Sequence, residues 1–233
     1  MRKSGAAGAG IIFAGSLIAA LFYRGRLGEA YNPLNHFVSE LGEVGISAAA
    51  WAFNGGLLIG GVMLVVFLVA LGRRIGGGLG ALFGAVGLAC GVCGTAVGAV
   101  PMNDLLPHIF WARSFFNLGL GTMLFFSLVA LLGRPGLPRR LALPGAVASL
   151  AFAAFLAIPQ PTASAGGDIL GAVMAMLNSP RPTIWAPAIL EWLAVLSVLG
   201  WALSVALSLD RVDFWKRSLP AEPGEIASIQ RYL

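Results

Sequence analysis

The stretch Ala48-Ala-Ala-Trp-Ala-Phe-Asn-Gly-Gly-Leu-Leu-Ile-Gly-Gly-Val-Met-Leu-Val-Val-Phe-Leu-Val-Ala-Leu71 holds one polar side chain, Asn54, and runs directly into Gly72-Arg73-Arg74. An apolar run of about 20 residues, coiled as a helix, matches a hydrocarbon core about 30 Å thick. In lipid it has to be a helix, because an open strand edge would leave backbone groups unsatisfied. Five further runs of this kind flank it, at roughly 7–23, 77–100, 108–132, 141–158 and 184–208. Pro101, Pro107, Gly133-Arg-Pro and Pro159-Gln-Pro161 stand where helices would stop. The expected fold is therefore all-α, a polytopic membrane bundle of six transmembrane helices over 1–209, with a cytoplasmic tail at 210–233. The tail, which mixes Trp215, Lys216 and Arg217 with prolines and acids, reads equally as a short helix on anionic headgroups or as a solvated segment.

Composition agrees with this reading. Charged residues are 11% of the chain and hydrophobic residues 58%, with a mean hydropathy of +0.86. A soluble domain carries about 25% charged residues, so this chain cannot dress a water-facing surface. A net charge of +5 and a pI near 9.9 could suggest nucleic acid. The basic residues sit between spans instead, where they set orientation, and nucleic acid is excluded as a partner. Arg2, Lys3, Arg73, Arg74, Arg134, Arg139, Arg140 and the four basic residues of the tail fall on one side, 11 of the 15. That side is expected to be cytoplasmic, with both termini inside and the protein integral to the cell membrane. Met1-Arg-Lys followed by an apolar run resembles a signal peptide, but Leu21-Phe-Tyr-Arg-Gly-Arg26 offers no small-x-small cleavage site, so it reads as a retained first span.

Two features inside the spans read as packing. Gly77, Gly80, Gly84, Gly87, Gly91, Gly94 and Gly98 form a stripe along one face of the third helix, and Gly56 and Gly60 repeat the device in the second. Such faces let membrane helices approach closely. Cys90 and Cys93, a single C-x-x-C within an apolar span, read as small packing residues.

The opposite, outer side carries the chemistry. In the first outer loop Asn32 suits an N-cap, Pro33 the first helical position and Gly42 a C-cap. Leu34, Phe37, Val38 and Leu41 recur at helical spacing, with Asn35, His36, Ser39, Glu40 and Glu43 off that stripe. The pattern predicts an interfacial amphipathic helix, apolar face down and polar face up or inward. The second outer loop adds Asn103, Asp104 and His108. Arg113 lies about one and a half turns inside the fourth span, near 9 Å at 1.5 Å per residue. Glu191 lies at similar depth in the last span. An ionisable group in a bilayer is costly unless paired, so each is the other's expected partner, either as an anion clamp or as an ion pair tying two helices. Asn54 and Asn117 read as interhelical hydrogen bonds. The long third outer connection, from Gln160 to Thr183, has its own apolar stretch at 167–177 and reads as a lid. Trp185 and Trp192 suit the aromatic belt.

Tyr31-Asn-Pro-Leu-Asn-His-Phe-Val-Ser-Glu-Leu-Gly42, with its Ser-Glu-Leu-Gly ending, resembles the first-loop signature of the six-span membrane family called domain of unknown function 998. Val97-Gly-Ala-Val-Pro-Met-Asn-Asp104, followed by His108, resembles that family's pattern at the end of helix three. The resemblance runs from about Ile11 to Leu209. More distantly, the layout resembles DRAM-type and GPI-anchor-maturation membrane proteins, which are linked to lipid handling. The resemblance implies the six-span fold and marks Ser39, Glu40, Asp104 and His108, without naming a reaction. Arg113 and Glu191 rest on the depth argument alone.

Together, His36, Ser39, Glu40, Asp104 and His108 are the candidate catalytic residues, and Asn103, Arg113 and Glu191 the candidate substrate-binding ones. They are expected to converge beneath the outer headgroups. Two histidines with carboxylates are compatible with a divalent metal that activates water, although the spacing matches no known ligand motif and no cofactor is specified. Ser39 with His108 and Asp104 is compatible with nucleophilic catalysis, although no G-x-S-x-G turn surrounds the serine. The first functional reading is a pocket for a lipid or isoprenoid headgroup, with hydrolysis or transfer as its reaction and membrane lipids as its partners. The second is a small-molecule or proton-coupled transporter, against which stands the lack of an inverted repeat. The third is a non-catalytic scaffold. A homo-oligomer is compatible with all three.

Overall fold

The computed structural model describes residues 1–134, 137–158 and 168–218, with the backbone alone at 169 and 210–218. Its seven α-helices are α1 (Arg2–Leu21), α2 (Ala50–Ile75), α3 (Gly77–Ala99), α4 (Leu105–Leu131), α5 (Ala142–Leu156), α6 (Ile169–Leu177) and α7 (Ala186–Ser218). Short 3-10 turns occupy Val38–Gly42 and Arg139–Leu141. Six of these segments are long and apolar enough to cross a membrane, the fifth being α5 with the 3-10 turn before it. The chain is an all-helical membrane bundle, as its apolar runs predict. The first helix begins earlier than expected, at Arg2, and α7 continues past the expected boundary at 209 to Ser218. The rest of the tail, 219–233, and the first part of the third outer connection, 159–167, lie outside the described residues.

The helices close into a ring: α1 packs on α2, α2 on α3, α3 on α4, α4 on α5, α5 on α7, and α7 back on α1. Glycine makes the first half of this ring tight. A Cβ on Gly60 would stand 2.7 Å from the Gly8 carbonyl oxygen, and one on Gly80 would strike the carbonyl oxygen of Gly72. Neither neighbour can yield, since both are helix backbone. The stripe on α3 is thus a packing surface, and the reversal from α2 into α3 is made by Gly76 and Gly77 at φ +72° and +61°. Cys90 and Cys93 are buried free thiols on the same helix.

Toward the arginine-rich end the ring is filled. Phe67, Phe83, Phe126 and Trp201 are each 2% exposed or less. The Trp201 ring meets Phe67 and Phe126 edge-on, with centroids 5.8 and 5.0 Å away. At the opposite end the three outer connections fold over one another and enter the bundle.

Candidate functional site

Local hydrogen bonds give the first outer loop its shape. The Asn32 side chain accepts from Leu34 N (3.0 Å), and its carbonyl accepts from Asn35 N and His36 N, closing a turn. Phe37 is extended, and only then does the 3-10 turn Val38–Gly42 begin. Glu40 accepts from Phe37 N at 2.7 Å across its start, and Asn54 on α2 donates to Gly42 O at 2.9 Å near its end. The helix expected from Asn32 is therefore shorter and tighter than the periodicity suggests. Its orientation is also settled: His36, Glu40 and Glu43 are 3%, 2% and 3% exposed, whereas Leu34 faces outward. The segment is a plug with its charges turned in.

Those charges are all partnered. Glu40 forms a buried ion pair with Arg181 and accepts from the Tyr23 hydroxyl (3.3 Å). Arg181 also donates to Asn35 O (3.2 Å), while Asn35 donates to Pro182 O (3.0 Å). Glu43 pairs with Arg26. His36 lies between Glu29, whose Oε1 is 3.3 Å from Nε2, and Asn35, whose Oδ1 is 2.8 Å from Nδ1. Tyr23 and Tyr31 flank the imidazole at 5.5 and 5.4 Å. Trp192 on α7 donates to the Tyr31 hydroxyl (2.7 Å), which donates on to Phe37 O (3.0 Å). Burial, then the nearby carboxylates Glu40 and Glu191, push the two tyrosine hydroxyls far up, so both remain proton donors. Burial also raises Glu43, against the pull of Arg26.

A second group faces empty space. A narrow cavity of about 110 Å³ runs from Ser39, His108 and Glu191 between apolar walls toward Trp201. A larger one of about 370 Å³ carries Arg113 and Trp185 and is covered by Val173, Met176 and Leu177 of α6. The two share Ser39, His108, Ala112, Phe116 and Glu191 as wall, so they adjoin across these five residues. The α6 lid rests on Met102 and Leu105 through Leu177, and Asp168 caps it by accepting from Gly171 N (2.8 Å). His108 donates Nδ1–H to Val100 O (2.7 Å), since a carbonyl can only accept. That leaves the Nε2 lone pair as the free end of the neutral ring. Glu191 accepts from Val38 N (2.6 Å) and from the Ser39 amide.

The eight expected site residues thus do not converge at one point. Ser39, His108, Arg113 and Glu191 share the cavity. His36 and Glu40 belong to the plug network. Asn103 is a staple between loops, accepting from Val44 N (2.8 Å) and donating to Val44 O (2.9 Å). Asp104 is exposed at the start of α4, with no side-chain capping bond. The expected Arg113–Glu191 ion pair is absent among the described residues, because Glu191 spends its acceptors on two backbone amides. Asn117 bonds within its own helix to Arg113 O (2.7 Å), not across helices. Among the described residues no three His, Cys, Asp or Glu side chains come close enough to hold a metal. Sequence reasoning missed Tyr23, Tyr31 and Arg181, and read Trp192 as belt alone. The available signal was charge balance: two outer arginines, Arg26 and Arg181, facing the two buried acids of the first loop.

Residues 6–208 match the family model described as a protein of unknown function, DUF998. The chain belongs to the DUF998 family. No curated protein and no solved structure matches it. The match spans the plug, the cavity walls and all eight residues, so in this DUF998 protein plug and cavity are parts of the family's domain. The distant likeness to DRAM-type proteins gains no support from these comparisons.

Proposed function

We propose that this protein binds a membrane lipid or isoprenoid in an outward-facing pocket, with its headgroup beside Ser39, His108 and Arg113 and its chain in the apolar cavity. The observation that carries this reading is the pair of adjoining cavities that share Ser39, His108 and Glu191, one walled by apolar side chains and the other bearing Arg113, which match the two ends of an amphiphile. The larger part, about 370 Å³, falls in the range of about 300–1,000 Å³ usual for small-molecule sites. The concentration of arginine at the opposite end supports cytoplasmic termini in the cell membrane, which puts the pocket in the outer half. A lipid ester bound there would meet the Ser39 hydroxyl and His108 Nε2, the groups on which hydrolysis or transfer would draw. Transport is less well supported, since beyond the cavity the bundle is closed by Phe67, Phe126 and Trp201.

Native mass spectrometry with lipid extraction tests this on wild type and on Ala112→Phe, which fills the shared wall. A lipid retained by wild type and lost from a folded A112F is the expected result. Wild type free of lipid after purification and after lipid add-back, or equal retention in both proteins, would overturn the reading.

A further inference from the structure

Of the four arginines at the outer end, Arg113 alone has a guanidinium with no partner among the described residues. Six carboxylates lie there, and five have partners: Glu29 with His36, Glu40 with Arg181, Glu43 with Arg26, Asp168 with the Gly171 amide, and Glu191 with the Val38 and Ser39 amides. The sixth, Asp104, stands exposed at the head of α4, nine residues from Arg113 in sequence and about 13 Å along the helix. Of the arginines, Arg24 donates to Tyr23 O (2.9 Å), while Arg26 and Arg181 hold the plug. The Arg113 guanidinium makes no hydrogen bond or ion pair among the described residues, and it lines the larger cavity from an exposed position at its rim. Segment 159–167, Pro-Gln-Pro-Thr-Ala-Ser-Ala-Gly-Gly, contains no acid.

Depth makes this costly. The 27 residues of α4 span about 40 Å at 1.5 Å each; centred upright on a core about 30 Å thick, the helix would project about 5 Å beyond each side. Arg113 enters about 12 Å along the helix, which in that placement would put its backbone about 7 Å inside the hydrocarbon boundary. A charge at that level is stable when it faces a polar cavity and meets a counter-ion. Among the described residues the chain provides the cavity and no counter-ion.

Resting on the pocket reading above, we infer that the ligand is an anionic amphiphile whose phosphate or carboxylate pairs with Arg113 while its chain enters the narrow apolar cavity. Ser39, whose hydroxyl is unbonded among the described residues, donates a hydrogen bond to the same headgroup. His108 Nε2 accepts one from a headgroup hydroxyl. Glu191 lines the same volume without opposing this, because its carboxylate is turned onto the two amides of the plug.

Titrations followed by native mass spectrometry in a non-ionic detergent test the assignment with four probes: dioleoyl phosphatidate, oleate, dioleoylglycerol and inorganic phosphate. Wild type, R113K and R113Q are compared, with melting points recorded to establish that each is folded. The expected result is that wild type prefers phosphatidate or oleate to dioleoylglycerol. R113Q should bind those anions about tenfold to a hundredfold more weakly, with dioleoylglycerol unaffected and R113K intermediate. Equal affinity for dioleoylglycerol in wild type, or an R113Q curve matching wild type, would overturn the anionic assignment while leaving the pocket standing. Inorganic phosphate binding as tightly as phosphatidate would overturn the placement of the chain. No binding of any probe would remove both the assignment and the pocket reading beneath it.

Discussion

At the arginine-rich end, α2 turns into α3 through two glycines, and the helices there touch backbone to backbone over Gly72 and Gly80. At the opposite end, residues 22–49 wander between α1 and α2, return into the bundle, and are held by side chains from α2, from the third outer connection and from α7. One end is fixed by the absence of side chains and the other by an abundance of polar ones. The difference locates the adaptable part of the molecule. At the glycine contacts the two helix backbones meet directly and leave only an open groove of about 440 Å³ along the bundle surface, whereas the two cavities behind the polar plug reach it through Ser39.

Substitutions at each end can break this contrast. The largest effect is expected from Glu40→Ala, which strands Arg181 in a buried site at a cost of about 3–5 kcal/mol. Thermal unfolding in detergent would read it, and Glu40→Ala combined with Arg181→Ala should cost less than the two single changes added together. Additive losses would mean that the pair is not a unit. Next comes Gly80→Val at the tight end, where a forced collision with the Gly72 carbonyl should cost about 1–3 kcal/mol while leaving lipid retention per folded molecule unchanged. A G80V protein that melts like wild type would show that the helices part easily. The smallest effects compare two neighbours by the same melts. Asn103→Ala loses both bonds to Val44 and should cost about 1 kcal/mol, whereas Asp104→Ala should stay within about 0.5 kcal/mol. The reverse order would make the exposed acid, not the staple, the functional member of that loop.

Much of this architecture is legible in the sequence. The apolar runs give six spans, and the glycine intervals on α3 point to close packing, because both signals are local and repeat at the helical period. The depth of Arg113 and Glu191 marks them as cavity residues for a similarly local reason. Their pairing failed because the competitor for Glu191 is backbone: Val38 N lies 153 positions away in sequence and carries no side-chain signature. The first loop was misleading in a related way. Leu34, Phe37, Val38 and Leu41 have the spacing of a surface helix, yet Leu34 faces out and Val38 and Leu41 face in. Glu40 needed Arg181, and that long-range demand outweighed the local periodicity. Ser39 and Glu40 are adjacent in a motif, but the tight turn aims one at the cavity and the other into the ion-pair network.

The ties of the plug also set a timetable for assembly. Glu40 waits for Arg181, 141 residues later, and Tyr31 for Trp192, 161 residues later. While the ribosome is still making α2 through α5, Glu43 and His36 already have Arg26 and Glu29 within the first loop, but Glu40 has no arginine to pair with. The loop completes these ties only once Arg181 and α7 have been made, so its full docking is a late step of assembly.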